Sequence, residues 1–292
     1  MALGHVVLAL VVVLVWGLNF VVIQIGLVGM PPLLFVAIRF LGICLAVPFV
    51  PRPKVRLRDL AAVGLLMSAG QFGFLYSALA TGLASGMASL VLQAQALFTT
   101  VIAAAVLRER PRPVQLVGMG LAFLGLSVVS LGRTGATPLH GILLCLCAAL
   151  SWGAGNVAAR RCAGVSGLGL TVWGGLFVPL PLLGMSLVLE GPAAIGEALT
   201  NLGAAALWST LYTVVLASLV GYSIWNSLLG RYPAADVAPF ALLVPVVGFL
   251  SGWVFLGERP NAASFLGGGF LLFGVAVIVL GPRLSAQRAR RG

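Results

Sequence analysis

The sequence predicts an all-α polytopic membrane protein that crosses the bilayer ten times, as two inverted repeats of five helices. Three observations support this fold: a strongly apolar composition, basic residues that cluster in alternate loops, and a segment that occurs in both halves of the chain. Hydrophobic residues make up 61% of the 292 residues and charged residues only 8%, whereas an average soluble domain carries roughly 25% charged residues. We therefore expect the lipid bilayer, and not water, to surround most of the chain.

Apolar stretches follow one another along the chain, separated by short segments rich in Gly, Pro and charge. A spanning helix needs roughly 20 mostly apolar residues, and these stretches meet that requirement. The first stretch lacks a basic leader and a small-residue cleavage site, so it is interpreted as a helix and not as a signal peptide. The predicted helices cover residues 5–27, 32–50, 58–80, 84–107, 113–132, 139–159, 167–189, 204–229, 236–257 and 261–281.

The basic residues predict the orientation. Lys and Arg concentrate in cytoplasmic loops, and this bias is strongest here if both termini are cytoplasmic. The inner loops and tail then hold Arg52, Lys54, Arg56, Arg58, Arg108, Arg110, Arg112, Arg160, Arg161, Arg231, Arg283, Arg288, Arg290 and Arg291. The outer loops hold only Arg133 and Arg259, and Arg39 lies inside the second helix. The net charge of +11 thus follows from membrane topology, and no nucleic-acid partner is expected because no water-exposed basic face is predicted.

A turn and the helix after it occur twice in the chain. The matching residues of the two copies, each pair 149 positions apart, are Glu109 and Glu258, Arg110 and Arg259, Pro111 and Pro260, Gly118 and Gly267, Gly125 and Gly274, and Gly132 and Gly281. Because five helices, an odd number, separate the two copies of the turn, the second copy enters the membrane from the opposite side. We expect the Glu109 turn to be cytoplasmic and the Glu258 turn external. Inverted repeats of this kind are typical of secondary transporters.

A second echo supports the same division. Trp16, Gly17 and Asn19 in the first helix correspond to Trp152, Gly153 and Asn156 in the sixth. The predicted domains are residues 1–135 for the first repeat, 136–284 for the second repeat and 285–292 for a basic cytoplasmic tail.

Several stretches together resemble a known family. WGLNFVVI in the first helix, LVLQAQALF in the fourth, VGYSIWNSLLGRY in the eighth and the paired ER-P turns are similar to the EamA type of the drug/metabolite transporter superfamily. The resemblance covers nearly the whole chain and is strongest to bacterial inner-membrane exporters of amino acids and their metabolites, particularly the O-acetylserine and cysteine exporter branch. It implies a central cavity lined mainly by helices one, three, four, six, eight and nine.

Polar side chains near the bilayer midplane are costly unless they face a partner or a watery cavity, so they are the first candidates for substrate binding. Trp16 and Asn19 lie on one helix face, and so do Trp152 and Asn156. Each pair combines an aromatic wall with an amide that both donates and accepts hydrogen bonds. The alternative is that these amides only join helices. We favour the cavity because the pair occurs in both repeats.

Further candidates lie in helices three, four and eight. Gln71, Tyr76 and Tyr222 are expected in the binding wall. Gln93 and Gln95 are two residues apart, so regular helical geometry directs only one of them squarely into a cavity, and we favour Gln95. Trp225 and Asn226 share the face of Tyr222, and for them a place in the interfacial belt is an equally good interpretation.

Proline, glycine and arginine inside helices need separate interpretations. Pro245 is expected to bend the ninth helix near the cavity, because proline removes a backbone donor. Gly248 and Gly252 favour close packing within a monomer, with a dimer as the alternative. Arg39 is expected to extend outward or to pair internally. Contact with a substrate carboxylate is the less favoured interpretation.

The placement of titratable residues bears on energy coupling and catalysis. The acidic residues all fall at helix ends or in loops, namely Asp59, Glu109, Glu190, Glu197, Asp236 and Glu258. The cysteines are interpreted as packing residues, namely Cys44, Cys145, Cys147 and Cys162. We therefore expect a protein that is not an enzyme, without a metal site, a cofactor or a buried carboxylate proton relay.

The sequence thus predicts a bacterial inner-membrane exporter of amino acids and related small metabolites, working by alternating access. An exporter of organic cations is the alternative within the superfamily, although it would benefit from a buried acidic group. A membrane-embedded enzyme acting on lipids is the alternative from another class, and it lacks a cluster of catalytic groups. A purely structural subunit would leave the paired Trp and Asn faces unexplained.

Overall fold

The computed structural model describes residues 1–131, 138–232 and 234–289, without the side chains of 234, 235, 238 and 282–289. The predicted boundary between residues 135 and 136, Gly132, Arg133, Arg290 and Arg291 therefore lie outside the described residues, as do the side chains of the predicted tail.

Within those residues, nine helices are long and apolar enough to cross a membrane, and one bent helix pair brings the number of spans to ten. The spans are 1 (Leu3–Gly26), 2 (Pro32–Phe49), 3 (Leu57–Ala80), 4 (Ser85–Leu107), 5 (Pro113–Leu131), 6 (Leu139–Cys162), 7 (Gly167–Gly175 with Pro179–Leu189), 8 (Ala204–Arg231), 9 (Pro239–Leu256) and 10 (Ala262–Gly281). The prediction of a polytopic helical fold is confirmed, and most helix ends lie within a few residues of the expected positions.

Contacts between loops place the second repeat upside down relative to the first. Arg160 at the end of span 6 pairs with Glu109 after span 4, and Arg161 lies 4.0 Å from Asp59 at the start of span 3. Glu258 instead accepts hydrogen bonds at the opposite end of span 4, where that helix begins at Ser85. The two copies of the repeated turn therefore lie at opposite ends of the molecule, as predicted for inverted repeats.

Two acidic side chains stabilise helix starts. The Glu258 carboxylate accepts from the backbone N–H of Ser85 at 2.5 Å and of Gly86 at 2.9 Å. The Glu190 carboxylate accepts from the N–H groups of Leu33 and Leu34 at 2.7 and 3.2 Å. A negative charge is favourable at a helix N-terminus because the first N–H groups of a helix have no partner within the helix.

The repeated glycines form the contact between spans 5 and 10. A Cβ atom added to Gly118 would lie 2.8 Å from the carbonyl oxygen of Gly274, and one added to Gly125 would lie 2.6 Å from that of Gly267. No side chain fits at these points, so the two backbones approach more closely than larger residues would allow. The two copies of the repeated helix therefore pack against each other.

The same symmetry relates span 1 to span 6. A Cβ atom on Gly17 would lie 2.5 Å from Val247 Cβ in span 9, and one on Gly153 would lie 2.9 Å from Phe98 Cβ in span 4. Phe98 and Val247 are 149 positions apart, like the residues of the repeated turn. Each repeat thus packs its first span on the fourth span of the other repeat, which brings the two halves together around the centre of the molecule.

The helices around that centre are irregular at equivalent places. Spans 3 and 8 each contain a π-helical segment, Gly64–Gly70 and Tyr212–Val220. Span 4 contains the 3₁₀ turn Leu92–Ala94, and span 9 is interrupted between Ala234–Ala241 and Val244–Leu256. Such departures from α-helical geometry redirect side chains and free backbone groups, and they are frequent at functional sites.

Span 7 is bent and not straight, and the segment after it is partly helical. The span bends by 51° between Gly167–Gly175 and Pro179–Leu189, and the second part begins at a proline. The short helix Pro192–Thr200 follows, in a region where the sequence predicted only a connection. Pro192 lies in its first turn, a position that proline favours because no N–H is needed there.

Candidate functional site

A cavity of about 310 Å³ lies between the two repeats, a size at the lower end for small-molecule sites. Spans 1, 3, 4, 6, 8 and 9 contribute to its wall, and Arg39 adds span 2. Of the residues proposed from the sequence, those in the wall are Trp16, Asn19, Gln71, Gln95, Trp152, Asn156 and Tyr222. The structure therefore brings together polar and aromatic groups that are far apart in the chain.

Aromatic rings form one side of the cavity. The ring centroid of Trp16 lies 5.3 Å from that of Tyr222 and 5.3 Å from that of Trp225. The indole N–H of Trp16 donates to the carbonyl oxygen of Ala217 at 2.9 Å, which fixes the orientation of the ring. Trp225 thus belongs to the cavity wall, where the sequence had favoured the cavity and the membrane interface equally.

Asn156 is bonded to the other repeat. Its Nδ2 atom donates to Gln95 Oε1 at 2.8 Å and to Thr99 Oγ1 at 3.1 Å. The Thr99 hydroxyl in turn donates to the backbone carbonyl of Gln95 at 2.7 Å. Asn156 therefore does what the alternative interpretation proposed for it, joining spans 4 and 6, while still lining the cavity.

Asn19 has a different environment, although it is the counterpart of Asn156. The residue 149 positions after Gln95 is Val244, which also lines the cavity but has no polar side chain. Asn19 is 8% exposed, and its Oδ1 atom has no hydrogen-bond partner within the part of the chain that the structure describes. Because a buried acceptor without a partner is costly, this oxygen is suited to receive a hydrogen bond from a ligand.

Both glutamines of span 4 line the cavity. The expectation that only one of Gln93 and Gln95 faces it was therefore wrong. It assumed a regular α-helix, whereas the 3₁₀ turn Leu92–Ala94 changes the angle between successive side chains at this point.

Arg39 is buried in the cavity wall, with 2% of its surface exposed. Its Nη1 donates to Tyr76 Oη at 3.2 Å and its Nη2 to Ser218 Oγ at 3.0 Å. The guanidinium carbon lies 4.1 Å from the centroid of the Phe72 ring. Arg39 is thus paired internally, one of the two arrangements expected for it, and does not extend outward.

Tyr76 lies behind Arg39 and not in the cavity wall. It is completely buried, and its ring packs against Phe35 and Phe72 with centroids 5.2 and 6.2 Å away. Its hydroxyl accepts the hydrogen bond from Arg39. The structure therefore places Tyr76 where it positions Arg39, one layer away from a ligand in the cavity.

Pro245 is buried one residue beyond the cavity-lining Val244. Its carbonyl oxygen accepts a hydrogen bond from Ser89 Oγ at 3.2 Å. The equivalent position in the first repeat is Ala96, yet span 4 is also irregular just before it. The irregularity is therefore common to both repeats and does not depend on proline.

Two remaining predictions concern residues outside the cavity wall. The Asn226 side chain accepts from the backbone N–H of Gly167 at 3.1 Å, which ties span 8 to the start of span 7. Gly248 and Gly252 pack within the chain, since Cβ atoms there would lie 2.6 Å from Ser89 Cβ and 2.7 Å from Ser85 Oγ. These contacts agree with the interpretation that both glycines serve packing within the monomer.

The cavity wall contains one charged side chain among the described residues, that of Arg39. Groups of three or more His, Cys, Asp or Glu that could hold a metal ion are absent from the described ranges. From the sequence, substrate contact was the less favoured interpretation of Arg39. The signal that could have identified Arg39 as a site residue is a basic residue inside a spanning helix whose acidic counterparts all lie at helix ends or in loops.

Comparisons with known proteins agree with this architecture. The model of the EamA-like transporter family matches residues 3–131 and 139–280. A probable amino-acid metabolite efflux pump of Salmonella typhimurium strain LT2 is 43% identical over 284 residues, covering 95% of each chain. A protein of the same description from Escherichia coli K12 is 42% identical, again over 95% of each chain. A solved crystal structure aligns over 96% of this chain and 98% of its own, with a TM-score of 0.57 and 21% identity, which is a likeness of fold alone.

Proposed function

The chain belongs to the EamA-like transporter family, and we propose that it exports amino acids and related small metabolites across a bacterial inner membrane. The observation that carries the proposal is the cavity between the repeats, whose wall combines Asn19, Gln95 and Asn156 with aromatic rings. Amides recognise groups that both donate and accept hydrogen bonds, and apolar rings tolerate different side chains. The names of the relatives that are 43% and 42% identical support the same class of substrate.

Alternating access is the proposed mechanism. Two repeats of opposite orientation pack their first and fourth spans against each other around the cavity, so movement of one repeat against the other exposes the cavity first on one side and then on the other. Pro245 and the irregular turn before it supply a hinge in span 9. Substrate contacts are assigned to Trp16, Asn19, Gln71, Gln95, Trp152, Asn156 and Tyr222, with Tyr76 acting through Arg39.

Export is proposed to proceed without a buried carboxylate proton relay. The acidic side chains Glu190 and Glu258 are engaged at helix starts, and Glu109 and Asp59 pair with arginines at the ends of spans. The cavity wall in the described ranges has no acidic side chain. The protein would then move substrate down its gradient, or couple export by a route that uses no buried carboxylate. We further propose that it is a monomer, with a dimer as the alternative, and that both termini are cytoplasmic.

An exporter of organic cations is the second candidate from the same superfamily. A cation gains from a buried acidic group in the binding site, whereas the charged side chain in this cavity wall is the cation Arg39. The electrostatics of the cavity thus favour a zwitterion or an anion.

The test is counterflow in liposomes that contain the purified protein. Liposomes preloaded with an unlabelled neutral amino acid are diluted into a solution of its radiolabelled form, for each of several amino acids in turn. The same experiment is then done with a quaternary ammonium dye. Accumulation of labelled amino acids, but not of the dye, supports the proposal. Accumulation of the dye alone overturns it.

A further inference from the structure

Arg39 carries a positive charge in a place where charge is costly. Arg39 is only 2% exposed, and it lies near the middle of span 2. An unpaired charge at such a depth costs several kcal/mol, so buried arginines normally lie near a counter-charge or a site where one binds.

The contacts of Arg39 inside the protein are neutral. Two of its N–H groups donate to the hydroxyls of Tyr76 and Ser218, and Phe72 covers one face of the guanidinium plane. The Ser218 hydroxyl is itself oriented, since it donates to the carbonyl oxygen of Thr213 at 2.7 Å. This shell holds the guanidinium rigidly, but it supplies no negative charge.

The guanidinium also keeps unused hydrogen-bonding capacity. Arginine has five N–H donors in one plane, and Nε has no partner in the residues that the structure describes. A ring stacked on the face of the plane does not engage the in-plane N–H groups, and carboxylates bind arginine through these in-plane donors. The ion pairs of Arg160 and Arg161 involve other arginines and lie at the ends of spans.

The same cavity contains the opposite kind of group. Asn19 Oδ1 is a buried hydrogen-bond acceptor without a partner in the described ranges, and a ligand ammonium group is a donor that could satisfy it. A donor cluster at Arg39 and an acceptor at Asn19, both in the wall of one small cavity, match the two ends of an α-amino acid zwitterion.

We propose that Arg39 binds the α-carboxylate of the substrate and that Asn19 Oδ1 accepts a hydrogen bond from its α-ammonium group. Tyr76 and Ser218 position the guanidinium and do not touch the substrate. This assignment rests on the proposed function, and it adds the chemical feature by which the cavity selects its ligands. The side chain of the substrate then lies against the aromatic wall around Trp16, which places no strict limit on the size of that side chain.

The test compares acids with their amides. Counterflow of radiolabelled L-leucine, L-serine and L-threonine is competed with each unlabelled amino acid and with its carboxamide, which keeps the ammonium group but has no carboxylate. In the wild type the carboxamide should compete at least about tenfold more weakly, since it lacks the charge-assisted hydrogen bonds to Arg39. Equal competition by acid and amide would overturn the assignment.

Variants separate recognition from structural support. Arg39→Gln should abolish the preference for the acid over its amide. Tyr76→Phe removes one hydrogen-bond partner of Arg39 but leaves the charge of Arg39 in place, so it should retain that preference. A purely structural arginine would lower flux for every ligand and leave the ratio of acid to amide unchanged. If Arg39→Gln does not fold, the wild-type ratio and Arg39→Lys decide, because a lysine keeps the charge and should keep part of the preference.

Failure of the proposed function has a different signature. If no amino acid is transported, thermal stabilisation of the purified protein by propionate is compared with that by propionamide. Stabilisation by the acid alone, lost in Arg39→Gln, would retain the carboxylate site and reject amino acids as the cargo. Equal effects of the two compounds would reject the carboxylate site itself.

Discussion

Asn156 and Gln95 join the two repeats at the cavity wall through a 2.8 Å hydrogen bond from Nδ2 to Oε1. In the other half of the pseudo-symmetric structure, the counterpart of Asn156 is Asn19 and that of Gln95 is Val244. The Asn156 amide therefore has a hydrogen-bond partner within the protein, whereas the Asn19 amide has a buried acceptor, Oδ1, without a partner in the described residues. This asymmetry gives Asn156 a role in joining the repeats besides its proposed substrate contact, whereas the Asn19 acceptor remains available to a ligand.

The hydrogen bond between Asn156 and Gln95 should appear as coupling in a double-mutant cycle. We expect Asn156→Ala and Gln95→Ala to be non-additive by about 0.6–1 kcal/mol, the usual worth of a polar contact between membrane helices. Unfolding free energies of the two single variants and the double variant in detergent measure it. Additive effects would show that the contact contributes nothing to stability.

Supplying the missing partner should block the site. Val244 is the counterpart of Gln95 and lines the cavity with Asn19, and a glutamine there brings an amide N–H that can donate to Asn19 Oδ1, in the opposite sense to the bond from Asn156 to Gln95. We therefore expect the KM of Val244→Gln for transported amino acids to rise at least about fivefold, a change of about 1 kcal/mol. Val244→Leu is the matched control, since it adds volume without a polar group. If both variants raise KM equally, the effect is steric and the argument from symmetry fails.

The glycine contact between spans 5 and 10 should tolerate no added methyl group. Gly125→Ala would place Cβ 2.6 Å from the carbonyl oxygen of Gly267, and we expect a loss of about 1–3 kcal/mol in stability from overpacking. Gly120→Ala, in the same helix, meets nothing within 4 Å and should be neutral or stabilising. Melting temperatures in detergent compare the two, and equal melting temperatures would contradict this packing.

The two equivalent glutamates should differ in importance. Glu258 accepts two backbone N–H bonds at the start of span 4, so we expect Glu258→Gln to lower stability by about 1–2 kcal/mol. Glu109 forms only an ion pair with Arg160 in which both side chains are about half exposed, and Glu109→Gln should cost less than about 0.5 kcal/mol. The reverse order of melting temperatures would show that the described helix start is not where Glu258 acts.

The fold was predictable because its signals are local or repeated in the sequence. Apolar stretches of spanning length give the helices, and the recurrence of Gly118 and Gly125 as Gly267 and Gly274 marks the repeat. The structure adds the reason for that recurrence, since the two copies pack backbone against backbone. The helix Pro192–Thr200 was missed because it is too short to span a membrane and follows directly on the end of span 7.

Most residues of the cavity wall were predictable from the sequence, but the hydrogen bonds among them were not. The rule that polar residues in apolar helices mark a site identified Asn19 and Asn156, yet only the fold shows that Gln95 bonds one of them. The interpretation of Gln93 failed because a 3₁₀ turn, which the sequence does not reveal, interrupts span 4. The sequence does not reveal that the hydrogen-bond partners of Arg39 are the neutral hydroxyls of Tyr76 and Ser218, because both come from other spans.

The most direct test of the account is efflux of radiolabelled amino acids from liposomes that contain the purified protein. We compare the wild type with Asn19→Ala and with Asn156→Ala, each shown to be folded by its melting curve. We expect saturable efflux that unlabelled amino acids compete, with Asn19→Ala raising KM and Asn156→Ala acting mainly through lower stability. Absence of flux for every amino acid in folded wild-type protein would contradict the central claim that the cavity between the repeats carries amino acids.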